Sequence, residues 1–297
     1  MNQLPYKTKS HVQWIELIED EHGHLVLVLD GNRQFHGFDE HRYHEAFAIP
    51  AFTGRSEPRR NALICGGGDG LLAQRVLQFP GIESLTLVEI CPEVVKLGQE
   101  HHALVSLNRG ALQDDRVQVV VDDAVDWVAG AQSDSLDVVF ADFPDATVRS
   151  LEPLYGEAFY RECCRVLRPD GVFVGQVRYT EQYFATVAHR ISNVFEHARP
   201  YRVRVPTHVV AGFVMASASA FDEFIEPPAW SRSLTVAGLS AMFEFAPDER
   251  AYVSNPLGRD SLSIIAARDA RFIQGLKPKR LDLGRLRGGV LKIDSEG

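Results

Sequence analysis

No apolar stretch in the 297 residues approaches the ~18–20 consecutive residues that a membrane helix needs. The opening MNQLPYKTKSHVQW also lacks the apolar centre of a secretory leader. A soluble, cytoplasmic chain without a membrane partner is therefore expected. Cysteine is scarce: Cys65, Cys91, Cys163 and Cys164 make neither a CxxC pair nor an even disulfide spacing, so they read as free thiols. Cys163-Cys164 falls inside an apolar helix, where packing rather than nucleophilic catalysis is expected. Positive charge is short as well, with 31 Lys and Arg against 40 Asp and Glu and a formal net charge of −9. Duplex binders concentrate basic residues, so no nucleic-acid partner is expected. An acidic balance is compatible with a small cationic substrate. Zinc-type spacings are missing too: the 11 histidines include no HExxH and no His/Cys grouping, and His41 with His44 on one helix turn do not make a site, so no metal is expected.

What is present has the composition of an ordinary globular chain, 45% hydrophobic and 24% charged, and is long enough for one large α/β domain and a smaller module. The runs His11–Glu19 and His24–Leu29, split by the turn-prone Asp20–Gly23 and followed by Asp30-Gly31 and a third short run, predict a small antiparallel β-module. Asp39 is placed to cap a helix through Phe52, and Gly54–Arg60 reads as a linker. From Asn61 strands and helices alternate, which implies a parallel sheet with right-handed crossovers. A helix is expected over Pro153–Leu167, closed by Arg168-Pro169-Asp170-Gly171 before a strand at Val172–Val177. Another helix follows near Glu181–Phe195, then an antiparallel pair formed by Tyr201–Val205 and Gly212–Ala216.

The chemistry-bearing residues fall at the ends of the expected parallel strands. Gly66-Gly67-Gly68-Asp69-Gly70 lies between a strand and a helix, where a backbone approaches a nucleotide-type ligand and side chains would obstruct it. Asp69 would repel a pyrophosphate at that helix terminus, so the loop favours a cationic ligand. Glu89, twenty residues on, is placed for the two ribose hydroxyls, and Asp123 for an adenine amino group. At the next strand end Asp142-Phe143-Pro144-Asp145 offers two carboxylates that can hold an amine or take its proton.

In this order the residues resemble the spermidine synthase family from about His11 to Ala218. The resemblance is carried by Gln13, by Leu27-Val28-Leu29-Asp30-Gly31 with Gln34, and by Asp39-Glu40-His41-Arg42-Tyr43-His44-Glu45. GGGDG, Glu89, Asp122-Asp123 and the Asp142/Asp145 pair complete it. Leu107-Asn108-Arg109-Gly110-Ala111-Leu112 and the DFPD sequence resemble a bacterial branch.

The resemblance implies an α/β fold with a Rossmann-like, class I methyltransferase-type sheet and a small N-terminal β-module. It divides the chain into a β-hairpin module with a gate helix (1–53), a nucleoside-binding catalytic domain (54–267) and a partly ordered basic tail (268–297). It implies a polyamine aminopropyltransferase using decarboxylated S-adenosylmethionine as co-substrate and a primary amine such as putrescine as acceptor, assembled as a homodimer or higher homo-oligomer. Gln13, Gly66, Gly68, Asp69, Glu89 and Asp123 would hold the donor. Asp142 would be the base, with Tyr43 and Asp145 beside it, and His44, Glu45, Gln176 and His208 would line the acceptor pocket. Ala146, His208 and Val12 depart from the family's pattern and bear on the acceptor rather than the donor. Two other readings share the residues: a methyltransferase or aminocarboxypropyltransferase using intact S-adenosylmethionine, and a non-catalytic nucleoside- or polyamine-binding protein.

Overall fold

The computed structural model describes residues 3–54, 58–145, 149–207 and 209–246. Ala146, His208 and the tail 268–297 lie outside the described residues.

The N-terminal module is a four-stranded antiparallel sheet in the order β1 (Tyr6–Lys9), β2 (Trp14–Glu19), β3 (Leu25–Leu29), β4 (Asn32–His36). Strand β1 has no counterpart in the sequence reading. Asp20 makes the β2–β3 turn by accepting the His22 and His24 N–H groups on Oδ1, at 2.9 and 2.7 Å. Its Oδ2 faces His24 Nδ1 at 3.1 Å and His36 Nε2 at 3.2 Å. These three side chains bring ligand-type atoms within 4.8 Å of one another, a grouping that no linear spacing announces. The Phe38 N–H donates to His36 Nδ1 at 3.2 Å, which leaves the ring proton on Nε2 to bond Asp20.

The second sheet has seven strands: β5 (Asn61–Gly66), β6 (Ser84–Glu89), β7 (Val117–Val121), β8 (Leu136–Asp142), β9 (Leu167–Arg178), β10 (His197–Val205) and β11 (Val209–Ser217). Their order is β10-β11-β9-β8-β5-β6-β7. The five strands β5 to β9 run parallel, and β11 is antiparallel to both β9 and β10. Helices α1 (Glu40–Thr53), α2 (Leu71–Val76), α3 (Pro92–Glu100), α4 (His102–Asn108), α5 (Ala124–Gly130), α6 (Glu157–Val166), α7 (Glu181–Ser192) and α8 (Val236–Met242), with 3₁₀ turns at Ala111–Gln113 and Arg149–Tyr155, complete the described elements. This is the α/β arrangement expected. Among the described residues no helix is long and apolar enough to cross a membrane.

Both sheet faces are covered, which is why the central strands read as unbroken apolar runs. Along β8 the side chains alternate: Val138 and Phe140 pack with α1 and α2, through Phe47, Ile49 and Leu72. Val139 and Ala141 pack on the other face with Val128, Cys163 and Ile191 of α5, α6 and α7. Cys163 is thus a core residue. A third cluster joins Ile15, Leu17, Leu27 and Phe35 of the small sheet to Leu71, Val94, Leu97 and Leu104, docking the module on α3 and α4 beside the glycine loop.

Helix α1 carries Pro50, which cannot donate to the carbonyl one turn back. The buried Tyr201 hydroxyl donates to that Ala46 carbonyl instead, at 2.9 Å, and ties the helix to β10. Asp39 sits at the start of α1 without capping it. Its carboxylate accepts the Thr207 N–H at 2.8 Å and the Thr207 hydroxyl at 2.6 Å, anchoring the β10–β11 turn to the helix. The expected helix over Pro153–Leu167 begins later: Arg149–Tyr155 forms a 3₁₀ turn and α6 starts at Glu157. Arg168-Pro169-Asp170-Gly171 does not precede the next strand but lies inside β9. Leu136 pairs with Leu167 and Val138 with Val172, so the intervening residues bulge out, which suits a proline with no N–H for the ladder.

Candidate active site

Strand order reverses at β5, whose neighbours are β6 and β8, and the crevice beyond the carboxyl ends of such strands is where ligands bind. Strand β5 ends on Gly66, whose φ is +88°; a Cβ there would lie 2.2 Å from the Asp142 carbonyl oxygen. A Cβ on Gly68 would lie 2.8 Å from Glu89 Cγ. The glycines therefore let one loop touch the acids that end both neighbouring strands.

Glu89 is 9% exposed and rigidly held. Its Oε2 accepts the Gly68 N–H at 3.2 Å and its Oε1 the Cys91 N–H at 2.9 Å. Burial pushes its pKa up to about 7, against the pull of those two bonds and helped by Asp69 and Asp142. Asp69 accepts the Leu71 N–H on Oδ1 at 2.8 Å, and burial raises its pKa as well. The Asp69 carbonyl is fixed by Asn108, which is fully buried and donates to it and to the Gly98 carbonyl, both at 2.8 Å.

Asp142, at the end of β8, accepts the Tyr43 hydroxyl on Oδ1 at 3.0 Å, so α1 closes over the crevice from the opposite side. Burial is the main cause that lifts Asp142 to about 6; Asp69 adds to it, while His44 and the Tyr43 bond oppose it. Burial and the adjoining Asp142 push the Tyr43 hydroxyl well above its ordinary value, so it stays a donor. Behind it runs a buried chain. His44 Nδ1 lies 2.8 Å from the Glu40 carbonyl oxygen and 3.0 Å from Glu40 Oε2, and Arg75 Nη2 donates to Glu40 Oε1 at 2.9 Å. Burial disfavours the His44 cation, but Glu40 outweighs it and its pKa is raised. The Arg75 charge is spent on Glu40 and does not reach the acids of the crevice.

Residues 40–224 match the family model described as the spermine/spermidine synthase domain. The chain belongs to this family. A polyamine aminopropyltransferase of Oceanobacillus iheyensis is 36% identical over 251 residues, covering 83% of this chain and 48% of that protein. One from Aeropyrum pernix is 37% identical over 217 residues, covering 71% and 68%. A crystal structure of a spermidine synthase in complex with the transition-state analogue AdoDATO superposes with TM-score 0.74 at 25% identity, covering 84% of this chain and 87% of that one. The Thermotoga maritima spermidine synthase gives 0.72 at 24% identity, covering 84% and 86%, a likeness of fold. The chain spans about half the length of several bacterial relatives it matches.

Within this spermine/spermidine synthase domain the expected site residues separate into those that converge and those that do not. Gly66, Gly68, Asp69, Glu89, Asp142 and Tyr43 meet around one crevice, with His44 packed edge-on to Tyr43 at 5.0 Å between ring centres. Gln13 lies just before β2, half-buried, in a turn whose Ser10 lies against the Cys91 thiol and hence near the end of β6. Asp123 is exposed and spends Oδ1 on the Val125 N–H at 2.8 Å, capping α5 at the outer rim. Glu45 turns away from the crevice. It is fully buried and accepts from the Ser231 hydroxyl (3.0 Å), the Arg232 N–H (3.0 Å) and the Ser233 N–H and hydroxyl (3.0 and 2.6 Å). The reason is helical geometry: two residues on, a side chain is rotated by roughly 200° from Tyr43.

Asp145 lies three residues beyond Asp142, past the end of β8. Burial raises its pKa against the effects of Arg178 and Gln176. Gln176 Oε1 accepts the Tyr155 hydroxyl at 3.4 Å, and the same hydroxyl lies 3.2 and 3.1 Å from the Phe143 and Pro144 carbonyls. No site role was assigned from the sequence to Tyr155, Asn108, Glu40 or Arg178. For Asn108 a signal existed, since Asn followed by Arg109 and Gly110, both at positive φ, marks a turn with a side-chain anchor. Ile90 and Val121, 47% and 52% exposed at the ends of β6 and β7, are a second omission: large apolar residues left open beside Glu89.

Proposed function

We propose that this chain is a polyamine aminopropyltransferase, taking decarboxylated S-adenosylmethionine as donor and a primary amine as acceptor. The observation that carries the reading is the Tyr43–Asp142 pair, half-buried across a crevice from Asp69 and Glu89 with the nearby Arg75 already paired. Glu89 receives the ribose hydroxyls, Ile90 and Val121 flank the base, and Asp123 reaches its amino group. Asp69 attracts the propylammonium tail. The aspartate and tyrosine then serve the incoming amine, whose pKa near the ~10.4 of lysine keeps it protonated at neutral pH. Asp142 takes one proton from the ammonium. The freed nitrogen lone pair attacks the propyl carbon bonded to sulfur, the carbon–sulfur bond breaks with its electron pair going to sulfur, and methylthioadenosine leaves. The product is a secondary ammonium, and charge balances with the proton on Asp142. Tyr43 aims the nitrogen while donating to Asp142, so alignment supplies much of the rate.

Incubation with decarboxylated S-adenosylmethionine and a panel of amines, read by mass spectrometry, tests the proposal. A gain of one aminopropyl unit with release of methylthioadenosine is expected. A methyl gain from intact S-adenosylmethionine would replace it with the methyltransferase reading, and binding without turnover would leave a binding protein.

Tyr43→Phe should raise the acceptor KM or lower kcat by about tenfold, the worth of one hydrogen bond to a charged group, with donor affinity unchanged. A loss confined to the donor KM would contradict the placement of Tyr43. The donor itself should be discriminated: decarboxylated S-adenosylmethionine is expected to bind at least ~10-fold tighter than S-adenosylmethionine, or ~1.4 kcal/mol. Burial raises the pKa of both Asp69 and Asp142, and Asp69 adds to the rise at Asp142, so a further carboxylate adds repulsion in a poorly screened site. Calorimetry with both donors reads this directly; equal affinities would refute it.

A further inference from the structure

The acceptor end of the crevice carries charges of both signs. Arg178, the last residue of β9, places Nη1 3.6 Å from Asp145 Oδ2, too far for a hydrogen bond, and its side chain is 25% exposed. Asp145 Oδ1 is buried with no hydrogen-bond partner among the described residues. The carboxylate and the guanidinium thus face each other without satisfying each other. Asp145 lies three residues beyond Asp142, the last residue of β8, and Arg178 ends β9, the strand paired beside β8, so the pair adjoins the site of the reacting nitrogen.

A plain diamine fits this end poorly. Its far ammonium would gain from Asp145 and lose to Arg178 at a similar distance, and the two Coulomb effects largely cancel. A head group that is itself zwitterionic meets both: an ammonium supplies the donor that Asp145 Oδ1 lacks, and a carboxylate accepts from the guanidinium N–H groups. We infer that Arg178 is a specificity-determining residue that, with Asp145, adapts the acceptor pocket to a diamino acid, whose side-chain amine reaches Asp142 while its α-ammonium and α-carboxylate rest on Asp145 and Arg178. This rests on the aminopropyltransferase reading above and sets its substrate class. The covalent step is unchanged: the side-chain nitrogen loses its proton to Asp142, bonds the propyl carbon, and the sulfur leaves with the electron pair.

Two amines that differ by a single carboxylate make the test: 1,4-diaminobutane and ornithine, each with decarboxylated S-adenosylmethionine, on the wild-type chain and on Arg178→Gln. Methylthioadenosine release gives kcat/KM, and fragmentation of the product locates the new bond. The wild type is expected to favour ornithine by roughly tenfold or more, and Arg178→Gln to shift the ratio toward 1,4-diaminobutane by a similar factor, mostly through KM. Arg178→Lys should restore part of the preference, since it keeps the charge without the fork. A wild type that favours 1,4-diaminobutane, or a ratio unmoved by Arg178→Gln, overturns the inference while leaving aminopropyl transfer standing. Should neither amine release methylthioadenosine while another amine of the panel does, the inference is overturned; should no amine of the panel release it, the catalytic reading fails. The inference is then decided by calorimetry of the two amines on the same proteins, with equal or reversed affinity refuting it.

Discussion

Asp142→Asn is expected to lower kcat by ~10²–10⁴-fold, the range associated with a positioned general base, while methylthioadenosine binds within a few fold of wild type. The substitution keeps the size of the side chain and the Oδ1 that accepts the Tyr43 hydroxyl at 3.0 Å, so α1 stays in place. What it removes is the site for the amine's proton. The same carboxylate should set the acid limb of the pH profile. Because burial, with Asp69, raises its pKa to about 6, it is protonated and unable to act below that value. kcat/KM should therefore fall about tenfold per pH unit below ~6 and reach a plateau above it, where the carboxylate is ionised and the amine still arrives protonated. The residual activity of Asp142→Asn should lack this limb. Turnover undiminished in the variant across neutral pH would remove Asp142 from the base role.

Glu89→Ala should weaken donor and nucleoside product together, by ~10–100-fold, corresponding to the ~1.5–3 kcal/mol of hydrogen bonding to a charged group. The effect has a second source in the fold. Both Glu89 oxygens accept main-chain N–H groups, from Gly68 and Cys91, and the alanine variant leaves those donors to find water in a buried loop. A fall in Tm of a few degrees should accompany the loss of affinity. The acceptor KM should move little, because in the proposed arrangement the amine is served by Asp142 of β8 and Tyr43 of α1, which bond to each other and not to Glu89. Titration calorimetry with methylthioadenosine gives the answer, and equal affinity in variant and wild type would take Glu89 out of the nucleoside site.

The two variants probe opposite walls of one crevice, and their effects should be separable: one acts on turnover with binding retained, the other on nucleoside affinity. Tyr43 belongs with the first wall although it comes from the helix that precedes the large sheet. That helix is built into the sheet's face, with Phe47 and Ile49 in the same cluster as Ile64 and Phe140. Its hydroxyl is therefore held by packing that a module free to swing on a linker could not provide.

The sequence by itself determined the sheet and the convergence of its acids. Parallel strands buried on both faces must be near-continuous apolar runs and must all end on one edge, so Asp69, Glu89 and Asp142, each following such a run, could only gather at that edge. Local order along a chain is enough for that conclusion. It is not enough for the direction of a side chain or for a partner far away in sequence. Tyr43 and Glu45 were both placed at the crevice, yet the turn of the helix sends one to Asp142 and the other to Ser231 and Ser233. Asp39 looked like a cap and instead holds Thr207, 168 residues away. Glu40 and Arg75, 35 residues apart, neutralise each other behind His44, and Arg178 meets Asp145 only because β9 lies beside β8. Tertiary packing decided these pairings, because a buried charge must find its counter-charge wherever the fold brings one within a few ångströms, and no spacing along the chain encodes that distance.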